Sequence, residues 1–213
     1  MGLAAVPCAC MILLLLFFAA WFGLLLLAVV LFVRQRGAQP GPLPQPLPRV
    51  SVLLAARNEE AAIGRCLHSL RQLQYPPEQV EVLLGDDGST DRTVAVAEEA
   101  MRGYAGTFRI LPIQGQLGQA RGKANVLAHL ARAATTAYFC VTDADIAVPP
   151  TWLTGLLAHA RPGVGIVTGL TLVAGPRRFH RLQGLDWLLA LGLVQVVSDA
   201  GQPVTAMGNN MLV

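Results

Sequence analysis

The pattern of apolar and polar positions changes character twice along the chain. Residues 11 to 33, MILLLLFFAAWFGLLLLAVVLFV, carry no charge, and at about 1.5 Å of rise per helical residue such a run crosses a hydrocarbon core of roughly 30 Å. The pattern predicts a transmembrane helix. The residues before it are uncharged, whereas a cleaved secretion signal carries a basic leader and a shorter apolar segment, so the helix reads as an anchor. Residues 37 to 48, GAQPGPLPQPLP, are dominated by Pro and Gly. Proline fixes φ and removes backbone donors, so this stretch predicts an extended, semi-rigid spacer and a domain boundary. From Arg49 onward short β-type runs alternate with helical periodicity, the signature of a mostly parallel sheet with crossover helices. The strands are predicted at 49–56 (RVSVLLAA), 80–86 (VEVLLGD), 108–113 (FRILPI), 137–143 (AYFCVTD) and 163–173 (GVGIVTGLTLV). Ile63, Leu67, Leu70 and Leu73 recur at helical spacing, and further helices are predicted over 119–134 and 179–197. The expected organisation is a membrane anchor with a basic flank over 1–36, a linker over 37–48 and an α/β domain over 49–213.

Composition changes this picture only in part. The hydrophobic share of 54% exceeds ordinary globular usage, in keeping with a membrane segment. Arg34 and Arg36 follow the apolar run and no cation precedes it, so the positive-inside bias predicts that the rest of the chain is cytoplasmic. Cysteines 8, 10, 66 and 140 are scattered, which predicts neither a zinc site nor a disulfide in a reducing compartment. A net charge of +3, with basic residues dispersed and no interleaved aromatics, gives no reason to expect nucleic-acid binding.

Candidate chemistry follows from where the polar residues fall. In open α/β sheets ligands bind outside the carboxyl ends of the strands, where the loops diverge. RNEE (57–60), DDGSTD (86–91) and DAD (143–145) each follow a predicted strand and converge on one edge. DDGSTD reads equally as a turn with a helix cap, although that leaves two adjacent acids, Asp86 and Asp87, repelling each other unless a ligand or donor stabilises them. In extended chain Asp143 and Asp145 point to the same side, so the pair suits one hard cation, Mg²⁺ or Mn²⁺, or a metal and a sugar hydroxyl. D-x-D is also short and common. Lys123, the only lysine, opens a predicted helix where a cation can meet phosphate oxygens, or where it is simply solvated. Glu59 and Glu60 suit the first turn of a helix as well as they suit a ligand. The four histidines have no paired ligand spacing, and Trp152, Phe179 and Trp187 read as core or membrane-interface residues.

The order of the motifs says more than any one of them. VSVLLAARNEE, YPPEQVEVLLGDDGSTDRT, RGKANVLAHL and CVTDADIAVPPTWL together resemble the family 2 glycosyltransferases of GT-A fold, over about residues 49 to 155. The resemblance is to membrane-bound members that build lipid-linked or polymeric, cell-envelope glycans. It implies a GT-A, Rossmann-like mixed sheet with flanking helices. It also implies an inverting, metal-dependent hexosyltransferase that uses a nucleotide sugar, UDP-linked by expectation, and a lipid or glycan acceptor. By position, Ala55, Asn58 and Glu59 would line the nucleotide pocket and Asp87 would contact the base. Lys123 would face the phosphates, Asp143 the nucleotide or donor sugar, and Asp145, with Asp143, would hold Mg²⁺ or Mn²⁺.

Two departures accompany the match. Arg57 stands where the family commonly has a tyrosine, and the family's catalytic acid follows a segment resembling GNNMLV, at which this sequence stops. The expectation is a chain truncated before its general base, since neither Asp186 nor Asp199 occupies the motif position. A nucleotide-sugar-binding module without catalysis is the alternative. A nucleotidyltransferase is a third reading, weakened because LLAARNEE lacks the glycine-rich phosphate loop.

Overall fold

A computed structural model describes residues 8–34, 39–173, 175, 178–202 and 205–213. Arg36, Gly37 and Ala38, part of the predicted basic flank and linker, lie outside the described residues. The chain divides into two compact units, Met1–Gly37 with Leu172–Thr205, and Ala38–Thr171 with Ala206–Val213.

Among the described residues, the first unit contains two helices. The uncharged run forms α1 (Cys8–Arg34); within Ala9–Arg34 an 18-residue stretch has a mean hydropathy of 2.9 and none of it is buried. Its partner in the unit is α6 (Arg178–Asp199).

The second unit is the sheet domain. In chain order it comprises β1 (Val50–Ala56), α2 (Ile63–Arg71), β2 (Val80–Asp86), α3 (Thr93–Ala100), β3 (Thr107–Pro112), α4 (Lys123–Ala133), β4 (Tyr138–Asp143), α5 (Trp152–Leu157), β5 (Val167–Thr168) and β6 (Asn210–Leu212). The sheet order is β3-β2-β1-β4-β6-β5. The first four strands run parallel, and β6 pairs antiparallel with both β4 and β5. Alternation along the strands divides the core between two faces. Val50, Val52, Leu54, Val80, Val82, Leu84 and Cys140 pack with α2, α3 and α5, while Leu53, Leu83 and Val141 pack under Val126 and Leu130 of α4. Gly85 lets α4 sit close, because a Cβ there would lie 2.4 Å from Val126. That close approach fixes the helix whose first residue is Lys123.

Two predicted boundaries shift for physical reasons. The strand expected over 163–173 shrinks to Val167–Thr168. Gly163 is held at φ 86°, and β6 is the strand that pairs with β5. The helix expected from 119 begins at Lys123, because Gly118 and Gly122 hold the preceding chain at φ 58° and 53°.

At the amino edge of the sheet Glu81 is 3% exposed and fully engaged. Its Oε2 accepts the Ser51 hydroxyl at 2.6 Å and the Thr135 N–H at 3.0 Å, and its Oε1 faces Arg109 at 3.5 Å. Burial pushes its carboxyl up, but the hydrogen bonds from Ser51 and Thr135 and the Arg109 charge outweigh it and hold Glu81 below the usual range.

Candidate functional site

The strand register brings the candidate residues level. Ala55 pairs with Gly85 on one side and Asp143 on the other, and Ala56 pairs with Asp86. The chain segments that follow β1, β2 and β4 therefore leave the sheet at the same height, and α4 points its N-terminus towards them.

The loops after β1 and β2 are laced together. Asn58, at φ 58°, accepts the Thr90 N–H on its Oδ1 at 2.8 Å and donates its own N–H to Ser89 Oγ at 3.0 Å. Asp86 accepts the Ser89 N–H at 3.1 Å, Glu60 accepts the Arg92 N–H at 2.9 Å, and Thr93 Oγ1 accepts the Glu59 N–H at 2.7 Å. Asp91 accepts the N–H groups of Thr93 and Glu60 at 2.9 and 3.2 Å. These bonds occupy Asn58, Glu60, Asp86 and Asp91 and leave Glu59 and Asp87 directed at the cleft.

The DAD turn is braced from α2. Arg65 donates to the Asp145 carbonyl at 2.7 Å, the Cys66 thiol donates to the Asp143 carbonyl at 3.5 Å, and Ser69 Oγ accepts the Val148 N–H at 3.0 Å. Burial pushes the Cys66 thiol up to about 12, so it remains a protonated donor at neutral pH. Lys123 Nζ forms an ion pair with Asp143 and also donates to the Gly208 carbonyl at 3.2 Å. Trp152, 5% exposed, donates to Asn210 Oδ1 at 2.8 Å and so ties α5 to β6 beside that carbonyl.

The result is a cleft of about 270 Å³ lined by Ala55, Ala56, Arg57, Glu59, Asp87, Lys123, Val126 and residues 143–145. Four acids face two cations across it. Arg57 lies 3.9 Å from Asp87, and the Asp145 carboxylate has no partner among the described residues. Burial, and then the carboxylates of Asp145, Asp143 and Asp91, push Glu59 above its usual value. Of the seven candidates from sequence, the structure gathers Ala55, Glu59, Asp87, Lys123, Asp143 and Asp145, and turns Asn58 aside to brace the neighbouring loop. It adds Arg57 to the lining. It also adds Arg65 and Gly208 as supports, for which no local sequence signal exists because their partners are 80 and 85 residues away.

Among the described residues, no three His, Cys, Asp or Glu side chains gather as a ready-made metal cage. The donor set suits instead a hard cation held by one or two carboxylates and completed by phosphate oxygens and water, as Mg²⁺ is commonly bound.

The mixed sheet, with a charged cleft where β1, β2 and β4 end, defines a GT-A domain. A family model described as Glycosyl transferase family 2 matches residues 51–201, and the chain belongs to that family. The beta-monoglucosyldiacylglycerol synthase of Synechocystis sp. is 35% identical over 104 residues, covering 49% of this chain and 21% of that protein. The validoxylamine A glucosyltransferase of Streptomyces hygroscopicus subsp. limoneus is 32% identical over 150 residues, 67% of this chain and 32% of that protein. Among solved structures, the mannosyltransferase PcManGT from Pyrobaculum calidifontis, in complex with GDP-Man and Mn²⁺, superposes with a TM-score of 0.60. It is 28% identical, with 79% of this chain and 48% of that chain covered. The chain thus spans about a fifth to a third of the length of these curated relatives.

Proposed function

We propose that this chain carries the donor-binding portion of a membrane-anchored, inverting glycosyltransferase. Its donor is a nucleoside diphosphate sugar, UDP-linked, its cofactor Mg²⁺ or Mn²⁺, and its acceptor a lipid or glycan. The observation that carries this reading is the convergence of Asp87, Lys123, Asp143 and Asp145, from separate chain segments, on one cleft at the carboxyl edge of the sheet. Asp87 would accept a hydrogen bond from a base imide N–H or a ribose hydroxyl. Lys123, paired with Asp143 in the structure, would meet the diphosphate oxygens. Asp145 and Asp143 are the residues that would hold the cation, which when bound neutralises charge on the departing diphosphate. The solved relative bound to GDP-Man and Mn²⁺ supports a nucleotide sugar with a divalent ion, and the similarity to a glycolipid synthase supports a lipid acceptor. We infer that α1 is the anchor and that the sheet unit works in the cytoplasm.

A second reading, a nucleotide-sugar-binding module without transfer, is favoured by one observation. Beyond Asp87, Asp143 and Asp145 the cleft holds Glu59 as a further carboxylate and, among the described residues, no imidazole; with Glu59 lining the nucleotide pocket, no side chain there is spare to take the acceptor's proton. Calorimetric titration of the full chain in detergent with UDP, with and without Mn²⁺, tests what both readings share. Saturable, Mn²⁺-dependent binding is expected, and absence of binding by folded protein would overturn both. Transfer of sugar from a UDP-sugar to extracted lipid, assayed with the same protein, separates them.

A further inference from the structure

Lys123 is the only lysine in the chain, and its ammonium group already has two partners. It forms an ion pair with Asp143 and donates to the Gly208 carbonyl at 3.2 Å. The backbone that carries it is fixed. Gly85 lets α4 pack closely on β2. Asn125, 8% exposed, accepts the Leu117 N–H at 2.8 Å and donates to the Gly115 carbonyl at 2.9 Å, which closes the loop leading into the helix. Asp143 is fixed from the other side, since it ends β4 in register with Ala55 and its carbonyl accepts the Cys66 thiol. What remains free to move is the lysine side chain, 43% exposed, an unbranched stem with three rotatable donors at its tip.

Charge decides where that tip settles. Lys123 answers the charge of Asp143, while the Asp145 carboxylate has no partner among the described residues. A divalent cation arriving alone meets an ammonium group already on Asp143, and the two positive charges repel. A diphosphate arriving alone can draw the ammonium away only by leaving two bare carboxylates beside its own oxygens. When both arrive, the cation takes the carboxylates, the ammonium takes phosphate oxygen, and every charge faces its opposite.

We propose that Lys123 is an exchangeable counter-ion: it holds Asp143 in the free protein and passes to the diphosphate when the cation takes its place, so that cation and nucleotide bind as a pair. This rests on the reading of the cleft as a site for a nucleoside diphosphate and a divalent cation. The coupling is reciprocal, so UDP should raise Mn²⁺ affinity by the same factor as Mn²⁺ raises UDP affinity, roughly tenfold or more.

One lysine gives one signal. In the full chain in detergent, carrying isotope-labelled lysine, Mg²⁺ with UDP should shift the Lys123 side-chain resonance, and Mg²⁺ with uridine, which lacks the diphosphate, should leave it in place. A resonance that stays put while calorimetry shows UDP bound, or that moves as far with uridine, overturns the proposal and leaves the donor-site reading standing. Lys123→Gln keeps a donor for the Gly208 carbonyl but no charge. It should bind Mn²⁺ alone at least about threefold more tightly than the parent, and UDP in Mn²⁺ more weakly. Arg121→Gln, which removes an equal charge from an exposed position two residues away, should change Mn²⁺ affinity by less than about twofold. Mn²⁺ affinity that is unchanged or lower in Lys123→Gln, or raised equally in Arg121→Gln, overturns the proposal. Folded parent protein that binds no UDP in Mn²⁺ overturns the donor-site reading and this proposal with it.

Discussion

At the amino edge of the sheet, Glu81 is closed in by Ser51, Thr135 and Arg109, so that both carboxylate oxygens have partners. At the carboxyl edge of the same strands, Asp145 has no partner among the described residues, Asp143 has only the lone lysine, and Asp87 has a distant arginine. The same chemical group is thus saturated at one end and left with spare capacity at the other. A buried, saturated carboxylate is a fastening, since removing it strands several donors. A half-exposed, unsaturated one contributes little to folding and is available to a ligand.

The largest expected effect lies at the closed end. Glu81→Ala should cost about 3 kcal/mol of stability, because Ser51, the Thr135 N–H and Arg109 all lose their acceptor. Denaturant titration measures the loss, while Mn²⁺-dependent UDP affinity of the folded protein should hold. A loss under about 0.5 kcal/mol would remove Glu81 as a fastening. Because the folded carboxyl sits below its ordinary 4.5, its contribution is fully present above that value. It disappears as pH falls through the lower folded value. Glu81→Gln should flatten the acid limb of the stability profile.

The opposite signature is expected at the open end. Asp145→Asn should weaken nucleotide binding in Mn²⁺ by roughly tenfold or more, leave metal-free binding unchanged and leave the denaturation midpoint within about 0.5 kcal/mol. Unaltered Mn²⁺-dependent affinity would take Asp145 out of the donor site. The smallest effect should come from Arg65→Ala, which removes one hydrogen bond to the carbonyl of Asp145. About 1 kcal/mol, or a few-fold in Mn²⁺–UDP affinity, is expected, with partial recovery in Arg65→Lys. If the alanine variant binds as tightly as the parent, bracing from α2 does not govern the turn.

This contrast was only half visible along the chain. β1, β2 and β4 declare themselves because they are short, apolar and buried on both faces, and the acids just beyond them follow from the rule that loops diverge there. Residues 163–173 carry strand-like composition too, but pairing there depends on β6, far away in sequence, and only Val167–Thr168 finds it. Asn58 looks like a pocket residue from its motif. Its left-handed backbone and its bonds to Ser89 and Thr90 are tertiary facts that a linear pattern does not encode. Glu81, in an otherwise apolar strand, gave no sign of being a fastening, because its donors come from β1, β3 and the segment after α4.

The placement of β6 also bears on the order in which the chain leaves the ribosome. Among the described elements α1 emerges first and β6 last, yet β6 fits between two strands made well before it. Until residues 210–212 are free, β4 has an open edge, β5 has no strand beside it, and Lys123 lacks the Gly208 carbonyl. A nascent chain held at that stage displays an unpaired, apolar strand edge of the kind that recruits other chains. The interval from the emergence of β4 to that of residues 210–212 is therefore when the described strands most need chaperone cover.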